Sequence, residues 1–105
     1  MRPIPELPAS AELIGPSGVH AKLRLVDVSV GGIAFSRADT LLDAEPGTRM
    51  SLRVSLSHYG EHDITVDVRW CADALVGVQY VELTRPATVA VRAYVAELLE
   101  RGAPS

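Results

Sequence analysis

From Met50 to Leu56 every second residue is apolar. Met50, Leu52, Val54 and Leu56 alternate with Ser51, Arg53 and Ser55, and a period of two is what a half-buried β-strand imposes. The run "RMSLRVSLS" (49–57) is therefore predicted as a strand with one face on a core and one in water. "ITVDVRW" (64–70) repeats the alternation, with Ile64, Val66, Val68 and Trp70 on the apolar side against Thr65, Asp67 and Arg69. The intervening "SHYGEHD" reads as the loop of a hairpin. Upstream, "ASAELI" (9–14) and "HAKLRLVDVS" (20–29) predict two strands around the turn "GPSG" (15–18), with Lys22 and Arg24 sharing the polar face of the second. "GIAFS" (32–36) is a further short strand, and "RADTLLDAEPG" (37–47) has room for one helical turn before Pro46-Gly47. "ALVGVQYVEL" (74–83) reads as the last strand, apolar on both faces except at Gln79, with Gly77 allowing a bend or close packing. Strands at such short spacing indicate a small antiparallel barrel or sandwich.

The period changes after Leu83. Ala87, Val91, Tyr94, Val95 and Leu98 fall on one helical stripe, Thr84 is placed to cap the N-terminus, Pro86 sits in the first turn and Gly102 is a natural stop. These features predict an amphipathic helix over 85–101, packed on or against the barrel mouth, with a second apolar edge at Val89 and Leu99. At the other end, each proline of "RPIPELP" pushes the residue before it out of the helical region. The expected organisation is an extended arm over 1–8, one domain over 9–101 and a tail over 102–105.

Composition narrows the picture. A chain of 105 residues, 48% hydrophobic and 22% charged, has material for one core and one domain. The net charge of −3 does not attract nucleic acid or an anionic membrane to the molecule as a whole, so any polyanion site has to be a local basic cluster. The single cysteine, Cys71, excludes an internal disulfide. The prolines of the N-terminus do not suit a signal peptide, and no apolar run approaches transmembrane length. A cytoplasmic protein without membrane insertion is expected. His58 and His62, with Asp63 next to them, lack a third ligand at a recognisable spacing, so no metal is expected. Asp39, Asp43 and Glu45 form no acid/base pair, and no enzyme is expected.

The link "DVSVGG" (27–32) is the one stretch that looks richer than a strand reversal requires. Its carboxylate can accept from the donors of a ligand, its hydroxyl can donate to an acceptor, and its glycines let a ligand approach the backbone. The alternative is local: Asp27 and Ser29 cap the amides of their own turn while the glycines supply positive φ. Both roles can coexist.

Asp27, Ser29 and Gly32 match the Asp/Asn-x-Ser-x-x-Gly motif of the PilZ domain family at the same point between two strands, and with this motif the order of features from about Ala9 to Leu99 resembles that family. "PGTRMSLRVSL" is similar to its glycine-led fourth strand, and "ITVDVRW…ALVGVQYVEL" to its closing hairpin with Gly-x-x-aromatic. The resemblance implies a mainly β fold, a small six-stranded antiparallel β-barrel of split-barrel type with a C-terminal α-helix. It implies a bacterial signalling protein of the cyclic di-GMP pathway, with no cofactor and with cyclic di-GMP as ligand. The site residues it implies are Arg2, Asp27, Ser29, Gly31 and Gly32, with Arg24 as a substitute cation on the strand leading into the motif, and Lys22, Arg37 and Arg69 as further neighbours.

One position departs from the family. Its second signature, Arg-x-x-x-Arg ahead of the first strand, meets "RPIPELP" here, so Arg2 matches the first arginine and Glu6 stands in place of the second. An arginine fork gives paired bonds to phosphate oxygens or a guanine edge and stacks on the base. Each such bond contributes roughly 1.5–3 kcal/mol. A carboxylate donates none of them and adds repulsion of about 1 kcal/mol per phosphate in water. The expected loss is roughly two to four orders of magnitude in affinity.

Two functions follow. Glu6 favours an adaptor that regulates motility or type IV pilus function through a protein partner, with weak or absent nucleotide binding. The alternative is a stand-alone cyclic di-GMP receptor that uses Asp-x-Ser-x-x-Gly with substitute basic residues. A barrel for single-stranded nucleic acid needs a basic groove and stacking aromatics, which one Phe, one Trp and three Tyr at net charge −3 do not supply, so no DNA or RNA partner is expected.

Overall fold

The computed structural model describes residues 1–15, 18–36 and 45–102. Its strands are β1 (Ala9–Gly15), β2 (Gly18–Val28), β3 (Gly32–Ser36), β4 (Arg49–Leu56), β5 (Gly60–Cys71) and β6 (Leu75–Glu82), followed by helix α1 (Arg85–Glu100). The strands close into an antiparallel barrel in the order β1-β2-β3-β6-β5-β4, with β1 pairing with β4 to complete the ring. Closure leaves none of these six strands with an unpaired edge. The chain is thus mainly β with one C-terminal helix, as expected. The centre of the turn "GPSG", the helical turn expected within 37–47, and Arg37, Asp39 and Asp43 lie outside the described residues.

The period-2 faces fill the interior. Met50, Leu52, Val54 and Leu56 of β4 and Ile64, Val66 and Val68 of β5 are buried, opposite Phe35, Val76 and Val78. Outward residues of β4 and β5 pair across the ladder: Arg53 donates to Asp63 and Arg49 to Asp67, each at 2.9 Å from Nε. The expected seven-residue loop is much shorter. Leu56 already faces Gly60, so His62 and Asp63 belong to β5, and the reversal is made by Ser57 to Tyr59 with His58 at φ 71° and Gly60 at φ 85°.

Antiparallel pairing brings the arm, the β2–β3 link, the β4–β5 turn and the β6–α1 junction to one end of the barrel. Helix α1 closes that end. Thr84 caps it by accepting from the Ala87 amide at 3.2 Å, and Ala87, Ala90, Val91, Tyr94 and Leu98 are buried. Val89 and Leu99 are exposed. Glu97 ties the helix to the hairpin turn: it accepts from the Tyr59 hydroxyl and from Arg101, and His58 lies 3.9 Å away.

The arm is not extended throughout. The Leu7 amide donates to the Ile4 carbonyl at 2.9 Å, closing a turn whose corner is Pro5-Glu6, and Leu7 is wholly buried beneath α1. A proline at the second position of a turn is well suited to this geometry.

Candidate functional site

The link that follows β2 is held from three sides. Ser29 and Gly32 close it, with the Ser29 amide donating to the Gly32 carbonyl at 2.9 Å. The Ser29 hydroxyl accepts from the amides of Gly31 (3.3 Å) and Gly32 (3.1 Å) and donates to the Gly32 carbonyl at 3.0 Å. From β6, the Tyr80 amide donates to the Gly31 carbonyl and the Tyr80 hydroxyl to the Ser29 carbonyl, both at 3.1 Å. Burial pushes the Tyr80 phenol above its ordinary value, so it remains a donor. The aromatic of Gly-x-x-aromatic is therefore the latch of the loop.

The local reading of this link holds only for the serine. Asp27 caps no amide; its carboxylate is paired with the amino group of Met1, which also donates to the Val28 carbonyl at 2.8 Å while Val28 donates back to Met1 at 2.7 Å. The glycines are not there for positive φ, which occurs among glycines at Gly47, Gly60 and Gly102. Gly32 is required sterically, because a Cβ on it would fall on the Val78 carbonyl oxygen. Gly31 meets nothing and leaves the backbone open.

Asp27, Ser29, Gly31 and Gly32 line a hollow of about 230 Å³ on the outer wall, floored by Ala34 and Gly77 and walled by Arg69 and Trp70. A second hollow, of about 380 Å³, adjoins it. It holds Arg2 and Arg24 over Ser36 and Leu75. Ala34 and Ser36 are successive outward residues of β3, so the two hollows are about 7 Å apart along the strand. The site residues expected from the sequence thus fall into two neighbouring groups. Glu6 is exposed on its turn and lines neither. Lys22 lines a third depression on the outside of β1 and β2, which Arg24 shares.

The arginines divide in the same way. Arg49, Arg53 and Arg101 are each committed to a carboxylate. Arg2, Arg24 and Arg69, like Arg85 and Arg92 of α1, have no hydrogen-bond or ion-pair partner among the described residues; Arg69 lines the hollow of the motif, and Arg2 and Arg24 line its neighbour. The Asp67 carboxyl, held low first by its hydrogen bond from Arg49, is lowered further by the charge of Arg69. Arg69 was legible as an outward residue. Trp70 was not: alternation places it on the core side with Val68, whereas it is 47% exposed. The cause is a β-bulge. Val68 pairs with Val78 but Trp70 with Gly77, so Arg69 is an extra residue and the side chain after it changes face.

Comparison with known proteins agrees with this architecture. The PilZ domain family matches residues 2–97. Among solved structures, the PilZ domain of YcgR from Escherichia coli, determined with c-di-GMP, superposes with a TM-score of 0.72 at 11% identity, covering 97% of this chain and 92% of that one. MrkH of K. pneumonia in complex with c-di-GMP gives a TM-score of 0.82 at 16% identity over 97% of this chain, which spans 50% of MrkH. The Legionella protein Lpg0364 gives 0.65 at 13% identity, covering 97% and 95% of the two chains. No curated protein matches the chain by sequence.

Proposed function

The chain belongs to the PilZ domain family of cyclic di-GMP signalling, and on that premise we propose that it is a cytoplasmic receptor domain that binds the nucleotide on the outer wall of β2, β3 and β6. One observation carries this reading: Arg69 stands with the Asp27–Gly32 link around one hollow, and Arg2 and Arg24 line the neighbouring one, on a chain whose net charge is −3. An arginine left unpaired beside a concave, glycine-lined surface is set for a phosphate, which it binds through paired, charge-assisted hydrogen bonds. Asp27 receives the donor edge of a guanine, and Gly31 and Gly32 keep the backbone accessible. Because Glu6 lines neither hollow, its charge opposes the phosphates less than its place in the sequence suggests. Binding, not turnover, is the output, and no reaction is assigned to the site.

The second reading is an adaptor that acts through protein contacts, in motility or type IV pilus control, with little affinity for nucleotide. It is favoured by the polar groups of the motif being already engaged, Asp27 with Met1 and the Ser29 hydroxyl with its own loop. Calorimetric titration with cyclic di-GMP separates the two. Stoichiometric binding that weakens tenfold or more in Arg69→Ala is expected, since one charge-assisted bond contributes roughly 1.5–3 kcal/mol. No heat at ligand concentrations of hundreds of micromolar would overturn the receptor reading in favour of the adaptor.

A further inference from the structure

Across the wall formed by β2, β1, β4 and β5, Lys22 pairs with Glu12, Glu12 with Arg53 and Arg53 with Asp63. Four long side chains of alternating sign therefore stand in one row across the strands, as a ridge. The next outward row, towards the β4–β5 turn, is low: Ser10 faces Ser55, and Ser55 faces Glu61. Pro8, Ser57 and His58 bound it on the far side. From Glu12 to Pro8 is about 13 Å along the strand, enough for one extended chain with its side chains. Ser10 lines both the hollow of about 450 Å³ beside the turn and the depression of about 650 Å³ on β1 and β2, so the two run together as a trough. Arg24 lies at its β2 end and Glu61 at its β5 end. Both are exposed, and neither has an ion-pair partner among the described residues. The hydroxyls of Ser10 and Ser55 have no protein partner among those residues either.

We propose that this trough is a docking surface for an extended segment of another protein, laid across the strands with an acidic residue at Arg24 and a basic residue at Glu61. The charges set that chemistry. β2 and β5 are three strand spacings apart, about 14 Å, which an extended chain covers in about four residues. Both edges of each of the six strands are paired, so a partner cannot join the barrel as an added strand. Its amides and carbonyls have to be met by side chains instead. A serine hydroxyl both donates and accepts, and its small size lets an incoming backbone come close. The opposite charges at the two ends fix the direction of the segment more than its affinity. A nucleic acid strand would be drawn to Arg24 but repelled at Glu61, so the occupant is a polypeptide. None of the residues of the trough lines the hollow of the motif, and docking here requires no bound nucleotide.

The full chain, free of nucleotide, is used to select from a phage-displayed library of random decapeptides. Recovered sequences are expected to carry an acidic and a basic residue about four positions apart. A fluorescein-labelled peptide of the recovered sequence is then titrated by anisotropy. Ser55→Trp, which fills the floor of the trough, should weaken it about tenfold or more. Glu61→Lys should weaken it about threefold, and changing the basic residue of the peptide to Glu should restore binding to that variant. Both side chains point outward and tryptophan suits a strand, so the fold is retained, which circular dichroism verifies. Recovery of nothing above the bare support overturns the proposal. So does a peptide that binds Ser55→Trp and Glu61→Lys within twofold of the parent, which would place its site elsewhere, such as on the exposed Val89 and Leu99 of α1. Because no nucleotide is present, either result leaves the receptor reading to its own titration.

Discussion

The hydroxyl of Tyr94, on the last element of the fold, donates a 2.6 Å hydrogen bond to the carbonyl of Leu7 in the arm before the first strand. The two residues are 87 positions apart and both are wholly buried. Burial also pushes the Tyr94 phenol up to about 12, so it remains a donor throughout the ordinary pH range. The bond ties the end of the arm that carries Arg2 to the helix that closes the barrel. Tyr94→Phe leaves the Leu7 carbonyl buried and unpaired and should cost about 1–3 kcal/mol. Leu7→Ala, which opens a cavity at the same place, should cost about 2–5 kcal/mol. Urea denaturation measures both, and a Tyr94→Phe variant as stable as the parent would show that the arm is held by packing alone.

Gly31 and Gly32 are adjacent and should respond oppositely to alanine. At Gly32 the new methyl group meets the Val78 carbonyl, so β3 and β6 must move apart, an overpacking worth about 1–3 kcal/mol. At Gly31 the methyl group enters open space and no positive φ opposes it, so the change in stability should stay within about 0.5 kcal/mol. Thermal melts of the two variants make the comparison directly.

Glu6 provides a test of place against sequence. Standing where the family has its second arginine, it would be expected to cost several orders of magnitude in nucleotide affinity, yet it sits on an exposed turn beside neither hollow. Glu6→Arg should therefore raise affinity for cyclic di-GMP by less than about tenfold, the size of a solvent-screened charge effect. Calorimetry at low and high salt gives the answer; a gain of a hundredfold or more would place position 6 in the binding surface.

Glu97 makes the seat of α1 sensitive to acid. Hydrogen bonding from Tyr59, aided by Arg101 and His58, holds its carboxyl below the ordinary value of 4.5. A carboxylate with a depressed folded-state pKa stabilises the fold fully above its unfolded value and loses that contribution as pH falls through the folded one. The stability difference between the parent and Glu97→Gln should thus be constant near neutrality and shrink below about pH 4.5. Melting temperatures of both proteins between about pH 3 and 7 test this, and a difference that is unchanged at acid pH would show that ionised Glu97 does not hold the helix.

Much of the architecture was readable along the chain because it is written in local periods. Alternation over 49–57 and 64–70, the change of period after Leu83, and Thr84 followed by Pro86 determine strands, helix and cap through interactions spanning a few residues. So does the loop-capping role of Ser29. What tertiary structure alone decided is where those elements slip or meet. One bulge at Arg69 moves Trp70 from the core side to the wall, because a period of two survives only while the ladder keeps register. Gly32 is needed for what lies opposite it, the Val78 carbonyl, which is far away in sequence, and the close packing that Gly77 allows is identified only in the fold as a seat for the indole. The division of the arginines is of the same kind: Asp67 and Asp63 claim Arg49 and Arg53 across a hairpin, whereas Arg69 lines the hollow of the motif and Arg2 and Arg24 line its neighbour.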